Sequence, residues 1–275
     1  MRILIESGIA HSVPAFSHLG ELSTFKGRKL SSKQLSRAEA LIVRSTTEIN
    51  GAMLEGSPVK FVATTSAGVD HINVRELEDL GVKFVSASGC NALSVAEHVI
   101  CCIYAYADLR RIDARSLTVG VIGFGHVGRS LAALLKKLGI RFFANDPPMN
   151  GKEGFSSIPL EQCLKCTVVT LHVPLLETGE YKTIGLIGAD EIEALAPNTL
   201  MINAARGGVL DERALLSRIH SRSDIYTAID CWEGEPNISS ALLQEVTYGS
   251  PHIAGHTAEA RLRATLSVSE SLANF

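Results

Sequence analysis

Short runs of Val, Ile, Leu and Phe alternate along the chain with stretches whose apolar residues fall at helical spacing. In the first ninety residues, Ile3-Leu-Ile5, Ala40-Leu-Ile-Val43, Lys60-Phe-Val-Ala-Thr64 and Val82-Lys-Phe-Val85 read as buried strands. Residues 73–80 carry the clearest helix there, closed by Gly81, since glycine readily takes the left-handed turn that ends helices. Strands and helices in alternation predict a small parallel sheet. A longer helix-like stretch, residues 92–109, follows Gly89-Cys-Asn91 and has the length of an element linking two domains. A boundary is therefore expected near residues 91–94.

The second domain opens on an apolar, β-branched run, residues 117–122, with Gly123, Gly125 and Gly128 after it in a G-x-G-x-x-G spacing. Residues 127–138 then show helical apolar spacing up to Gly139, residues 141–145 form another strand, and Asp146 stands at its end. In such an arrangement the first glycine makes a tight turn and the second lets a pyrophosphate approach the backbone. The third lets helix and strand pack closely. The helix start, with His126 and Val127 in its first turn, directs unpaired N–H groups at the phosphates. Asp146 lies 18 residues beyond Gly128, near the roughly 20 at which a carboxylate accepts from ribose hydroxyls. An acid there favours NAD over NADP, because it repels a 2′-phosphate. The bare spacing also arises for steric reasons alone; the strand, helix and acid around it are what point to a dinucleotide. Farther on, strands at 167–171, 199–203 and 225–229 alternate with helices, and a last helix starts at Thr257. This is the plan of an α/β, doubly wound parallel sheet.

At 275 residues the chain exceeds the usual size of one domain, and 46% hydrophobic residues can fill two cores. A net charge of -3 argues against nucleic acid or a membrane surface as main partner. Arg110-Arg111 and Lys136-Lys137 read as solvated helix ends. No apolar run reaches the roughly 18 residues of a membrane span, and the N-terminus has no signal-peptide pattern. With six cysteines in no disulfide framework, a reducing cytoplasm is expected. Cys101 and Cys102 read as small core residues. Cys163 and Cys166 lack the further ligands of a zinc site, so no metal is expected.

Chemistry is expected at strand ends, where open α/β sheets place ligands. In the first domain these are Arg44-Ser45 and Thr64-Thr-Ser-Ala-Gly-Val-Asp70, the latter ahead of an expected helix. Either reads as an anion site, the second also as an Asp-capped helix start without a ligand. In the second domain Arg206, Asp230, Glu235 and His252 follow strands. Removing hydride from a carbinol carbon requires a base for the hydroxyl proton, and histidine, ordinarily titrating at about 6.5, suits that work. A carboxylate such as Glu235 would orient the ring, and an arginine would fork a substrate carboxylate. Spacing alone leaves open that His252 is a surface or core residue.

Three blocks stand in order behind the glycine turn: Asn203-Ala-Ala-Arg-Gly-Gly-Val-Leu-Asp211, Asp230-Cys-Trp-Glu-Gly-Glu-Pro236 and Pro251-His-Ile-Ala-Gly255. They resemble the arginine, glutamate and histidine blocks of the NAD-dependent D-2-hydroxyacid dehydrogenases. Val43-Arg-Ser-Thr46, Ala67-Gly-Val-Asp-His71, Gly89-Cys-Asn-Ala92, Asp146-Pro-Pro148, Tyr181-Lys-Thr183 and the Trp232 block narrow the likeness. They point to the branch that oxidises a phosphorylated four-carbon hydroxy acid in vitamin B6 cofactor synthesis. The resemblance covers nearly the whole chain. It implies two Rossmann-like, doubly wound parallel-sheet domains with the substrate in the cleft between them. Residues 1–93 with 256–275 would form the substrate domain and residues 94–255 the NAD domain.

Carried over residue by residue, the likeness implies Arg206, Glu235 and His252 as the catalytic set, with His252 giving and taking the proton. Gly123, Gly125, His126, Val127, Gly128, Asp146, Val173, Ala204, Ala205, Arg206, Asp230 and Gly255 would touch NAD. Arg44, Ser45, Ser66, Ala67, Gly68 and His256 would touch a small phosphorylated hydroxy acid. Ser66 stands for a usual threonine and keeps the hydroxyl. Val173 replaces a threonine and loses a side-chain hydrogen bond, while His256 replaces a substrate-contacting tyrosine. The implied reaction moves hydride from C2 of the acid to NAD. Sister enzymes acting on 3-phosphoglycerate, or on glyoxylate and hydroxypyruvate, usually lack the 89–92 and Trp232 blocks. An NAD-sensing corepressor of this fold would not need arginine, glutamate and histidine together. Members of the branch also carry a C-terminal domain that forms a homodimer. Nothing up to Phe275 supplies it, so a catalytic core is expected, dimeric when that domain is present.

Overall fold

Each apolar run of the first ninety residues becomes a parallel strand, and the central ones are buried throughout. The computed structural model describes residues 1–27 and 30–275, which fall into two units, Met1–Asn91 with His256–Phe275 and Ala92–Gly255. The first unit runs β1 (Arg2–Glu6), α1 (Ser12–Phe16), β2 (Glu21–Phe25), α2 (Ser32–Leu35) and β3 (Ala40–Val43). It continues with α3 (Gly51–Leu54), β4 (Phe61–Thr64), α4 (Val74–Asp79) and β5 (Lys83–Ser86). Its strands lie parallel in the order β2-β1-β3-β4-β5. Successive side chains point to opposite faces. Thus Ala40 and Ile42 join a cluster with Phe16 and Phe61, while Leu41 and Val43 join another with Val62 and Leu77.

Two features of this unit depart from the sequence expectations. β2 carries little apolar signal, because as an edge strand it buries only Phe25 fully. The turn after β4 does not enter a helix at Asp70. Ile72 first bridges to Ile49, and the helix begins only at Val74, capped by the Asn73 side chain accepting from Glu76 N. Asp70 is exposed and lies ahead of that cap.

The second unit begins with α5 (Ala92–Arg110), β6 (Thr118–Ile122), α6 (His126–Leu138), β7 (Arg141–Asn145), α7 (Leu160–Cys163) and β8 (Val168–Leu171). It continues with α8 (Ala189–Glu193), β9 (Leu200–Asn203), α9 (Glu212–Arg222), β10 (Tyr226–Ile229), α10 (Ser240–Glu245) and β11 (Tyr248–Gly249). The strands are parallel in the order β11-β10-β9-β8-β6-β7. The reversal at β6 puts a crevice where the glycine turn begins.

By length and composition α5 is apolar enough to cross a membrane, which corrects the expectation that no run is that long. Half of it is buried within its unit. Ala96, Val99 and Ile103 pack fully against Leu131 and Leu135 of α6, as a core helix does. Cys102 is buried but Cys101 is exposed, against expectation, because it falls on the helix's outer side. Arg110 is no solvated end either: its guanidinium lies over the Tyr226 ring at 5.4 Å and the Tyr106 ring at 6.0 Å. A buried cation that the sequence did not announce is Arg218 on α9. It pairs with Asp224 and donates to the carbonyls of Ile192, Glu193 and Leu195, closing the C-terminal end of α8.

The last helix, α11 (Ala258–Ala273), returns to the first unit and is capped by Thr257 accepting from Ala260 N. Its residues 261, 265 and 269, four apart and so on one face, each donate to the 8–15 segment. Arg261 Nη2 reaches Gly8 O at 3.1 Å, Thr265 Oγ1 reaches Ala10 O at 2.9 Å, and Ser269 Oγ reaches Ala15 O at 2.5 Å.

Candidate active site

Gly123 leads the chain out of β6 with φ +95°, and a β-carbon there would stand 2.7 Å from the His172 carbonyl carbon. At Gly128 a β-carbon would lie 2.2 Å from Gly123 O, so the turn and α6 touch backbone to backbone. Gly125 has nothing within 4 Å of that position, and it caps α6 without a side-chain hydrogen bond. The first N–H groups of the helix, those of His126, Val127 and Gly128, have no intrahelical acceptor. Bare amides at the positive end of a helix fit the pyrophosphate of a dinucleotide. Asp146 ends β7 beside them: its Oδ2 accepts from Phe124 N at 2.7 Å, and its own N donates to Ser157 Oγ at 2.8 Å. One carboxylate oxygen stiffens the turn, while Oδ1 makes no hydrogen bond among the described residues.

His172 and Val173 follow β8 on the far side of Gly123. The His172 Nε2 is 2.9 Å from Thr170 Oγ1, and its Nδ1 is buried with no partner. Burial pushes its pKa down to about 3, so the ring is neutral at physiological pH.

Asp230, at the end of β10, is only 2% exposed. Its Oδ1 accepts from Ser250 Oγ at 2.6 Å and Ile253 N at 2.8 Å, and its Oδ2 from Ala254 N at 3.0 Å. Its carbonyl accepts from His252 N at 2.8 Å. Asp230, expected at the cofactor, thus has both side-chain oxygens engaged in shaping the 250–254 loop. These bonds hold His252 at φ +53°, a left-handed conformation that costs a side-chain-bearing residue about 1–2 kcal/mol. There the His252 Nδ1 meets Glu235 Oε2 at 2.8 Å, and Glu235 Oε1 accepts from Trp232 N at 2.6 Å. A carboxylate only accepts, so Nδ1 carries a proton in this bond, and in the neutral ring the lone pair falls on Nε2. Nε2 makes no hydrogen bond among the described residues, and the two side chains are 43% and 32% exposed. Trp232 Nε1 donates to Ser250 O at 2.8 Å, tying the histidine and glutamate loops together.

The Arg206 turn is drawn to the same place by two neighbours. Asn203 is fully buried; its Nδ2 donates to the carbonyls of Arg206 at 3.1 Å and Cys231 at 2.9 Å, and its Oδ1 accepts from Ala205 N. At Gly207 a β-carbon would lie 2.0 Å from Trp232 O, so the two turns leave no room for a side chain. Arg206 is half-buried beside Ala204 and Ala205, its Nη1 donating to Ala205 O at 2.8 Å. Beneath, Glu212 accepts from Glu233 N at 2.7 Å. Burial, with the negative charges of Glu233 and Glu235, pushes the Glu212 carboxyl above the usual range despite that bond. Gly255, half-buried, closes the loop.

In the first unit all the expected substrate residues but His256 follow the carboxyl ends of β3 and β4. Val43 pairs with Thr64, which sets the 44–45 and 66–68 turns side by side. Ser45 is exposed, Ser66, Ala67 and Gly68 are half-buried, and His256 is exposed just ahead of α11. Arg44 is already paired. Glu6, fully buried at the end of β1, accepts from Arg44 N at 2.8 Å, Nε at 3.0 Å and Nη2 at 2.9 Å. It also accepts from Thr46 Oγ1 at 2.7 Å and Thr47 Oγ1 at 2.9 Å. Burial raises the Glu6 pKa, but the bonds from Thr46, Arg44 and Thr47 outweigh it and leave it lowered.

Glu6, Asn203, Glu212 and Ser250 were not anticipated; the only sequence signal is a polar residue near a strand end or, for Glu212, at a helix start. All six cysteines are free, and burial pushes Cys163 up to about 12. Among the described residues no group of three or more His, Cys, Asp or Glu could hold a metal ion.

Comparison with known proteins matches residues 97–254 to the family described as "D-isomer specific 2-hydroxyacid dehydrogenase, NAD binding domain". The erythronate-4-phosphate dehydrogenase of Salmonella arizonae is 40% identical over 277 residues, spanning all of this chain and 73% of that protein. Its Escherichia coli counterpart is 40% identical over 278 residues, with the same coverage. Among solved structures, NAD+-bound 3-phosphoglycerate dehydrogenase of Entamoeba histolytica gives a TM-score of 0.81 at 22% identity, over 100% of this chain and 95% of that one. At that identity the likeness is one of fold.

Proposed function

The chain belongs to the D-isomer specific 2-hydroxyacid dehydrogenases and is an NAD-dependent oxidoreductase; from that premise we propose that it oxidises 4-phospho-D-erythronate at C2. The product is 3-hydroxy-2-oxo-4-phosphobutanoate, a step towards pyridoxal 5′-phosphate. Relatives named erythronate-4-phosphate dehydrogenase, 40% identical along the whole chain, support this choice of substrate. The observation that carries the chemistry is the His252–Glu235 pair, with the accepting nitrogen left open.

Bound NAD supplies the acceptor for the C2 hydride. The glycine turn and the first amides of α6 would hold its pyrophosphate, and Asp146 would accept from a ribose hydroxyl. His252 Nε2 takes the proton of the C2 hydroxyl as the carbonyl forms. Glu235 keeps the ring oriented and stabilises the imidazolium, while Asp230 fixes the loop that presents it. Arg206 forks the substrate carboxylate and stabilises charge on the oxygen. The family likeness adds Ser45 and Ser66 as substrate-binding residues.

A panel of 2-hydroxy acids at fixed NAD, read as NADH absorbance, tests this. 4-Phospho-D-erythronate should show the highest kcat/KM. A higher value for 3-phosphoglycerate or glycerate would reassign the substrate, and no turnover of any acid would remove the activity.

A further inference from the structure

We propose that the phosphate of the substrate is held by Arg261 together with Arg44, both of which approach Gly8; this rests on the functional reading above. Nothing in the sequence singled out Arg261, which lies one turn into α11.

Arg44 is set up for anion binding by its partner. A guanidinium offers two hydrogen-bonding edges. Glu6 takes the edge formed by Nε and Nη2, and Nη1 makes no hydrogen bond among the described residues. A fully buried carboxylate is stable only with such partners, so Glu6 fixes the guanidinium in place. The side chain of Arg44 remains 36% exposed. Its open end lies beside Gly8, where an added β-carbon would stand 3.2 Å from Cζ and 3.3 Å from Nη1. Gly8, at φ +99° and without a side chain, thus packs its backbone close against that guanidinium.

The second cation comes to the same glycine from α11. Arg261 Nη2 donates to Gly8 O at 3.1 Å. Arg261 is exposed and has no carboxylate partner among the described residues. Thr265 and Ser269 below it hold the same segment, so the helix places Arg261 with little freedom. Given backbone dimensions, the two guanidinium groups lie within about 10 Å of each other. One is held by its carboxylate and the other carries an uncompensated charge. A phosphate dianion, with three accepting oxygens, can bridge such a pair, which a neutral hydroxymethyl group cannot do. Exposed Ser45 stands next in sequence to Arg44.

The test compares wild type, Arg261→Ala and Arg261→Lys with 4-phospho-D-erythronate and with D-erythronate. The expected result is a fall in the ratio of the two kcat/KM values by about 10-fold or more in Arg261→Ala, most of it in KM, with partial recovery in Arg261→Lys. An unchanged ratio overturns the proposal. NAD titration of each variant shows that it is folded. Should wild type oxidise neither acid, the functional reading fails by itself, and calorimetric titration with inorganic phosphate decides the site. Phosphate binding weakened about 10-fold by Arg261→Ala supports it; equal binding in both proteins, or none in wild type, overturns it.

Discussion

His172 and His252 each stand just past the end of a strand in the same sheet, and they have opposite uses. The His172 ring is enclosed, with one nitrogen on Thr170 and the other facing no partner. The His252 ring is half open to solvent, with one nitrogen on a carboxylate and the other without a hydrogen bond among the described residues. Enclosure disfavours the protonated form of the first; in the second a carboxylate orients the ring and can stabilise the proton it takes up. Two identical residue types in one fold thus differ only in what surrounds them. A histidine's partners, rather than its presence after a strand, mark it as a base.

The largest effect should come from the open ring. His252→Asn is expected to lower turnover about 100-fold or more while NAD titration stays close to wild type; full turnover in the variant would erase the contrast. Next comes the turn that His172 backs. Asp146→Ala should weaken NAD binding by about 1.5–3 kcal/mol, as for a charge-assisted hydrogen bond, and narrow the preference over NADP. Equal losses for both cofactors would mean that Asp146 acts only through Phe124. Glu235→Gln keeps the shape of the pair without its charge and should cost about 10-fold in kcat. No loss would leave His252 working alone.

The smallest effect concerns the enclosed ring. Its folded-state pKa of about 3 lies below the ordinary value of about 6.5, so unfolding takes up a proton between the two. Stability is fully present above about pH 6.5 and is lost progressively as pH falls towards about 3. His172→Gln retains a partner for Thr170 and cannot titrate, so its urea midpoint should fall less steeply over that window. Parallel curves for the two proteins would show that His172 protonates freely in the fold.

Much of the fold is legible in the order of residues alone. Doubly covered strands such as β3 and β4 must be apolar throughout, and the glycine turn needs glycines for reasons that leave a fixed spacing. β2 is not legible, because an edge strand as polar as Glu21-Leu-Ser-Thr-Phe25 buries little. The blocks around Arg206, Glu235 and His252 can be found by resemblance, yet the groups that position them cannot. Glu6 meets Arg44 38 residues away, and Asn203 joins Arg206 to Cys231. Such partners are set by strand order, which a local pattern does not contain. Arg218 escapes for the same reason: a cation in the core looks, in sequence, like any surface residue of an amphipathic helix.

The chain has a single tryptophan, and Trp232 is wedged between the loops that carry the acid and the base. Its backbone amide holds Glu235, its indole N–H holds Ser250, and its carbonyl meets Gly207 of the arginine turn. The protein therefore contains its own optical probe. Tryptophan emission arises from this one ring, so changes in its intensity or wavelength on adding cofactor or substrate report on those loops without any attached dye.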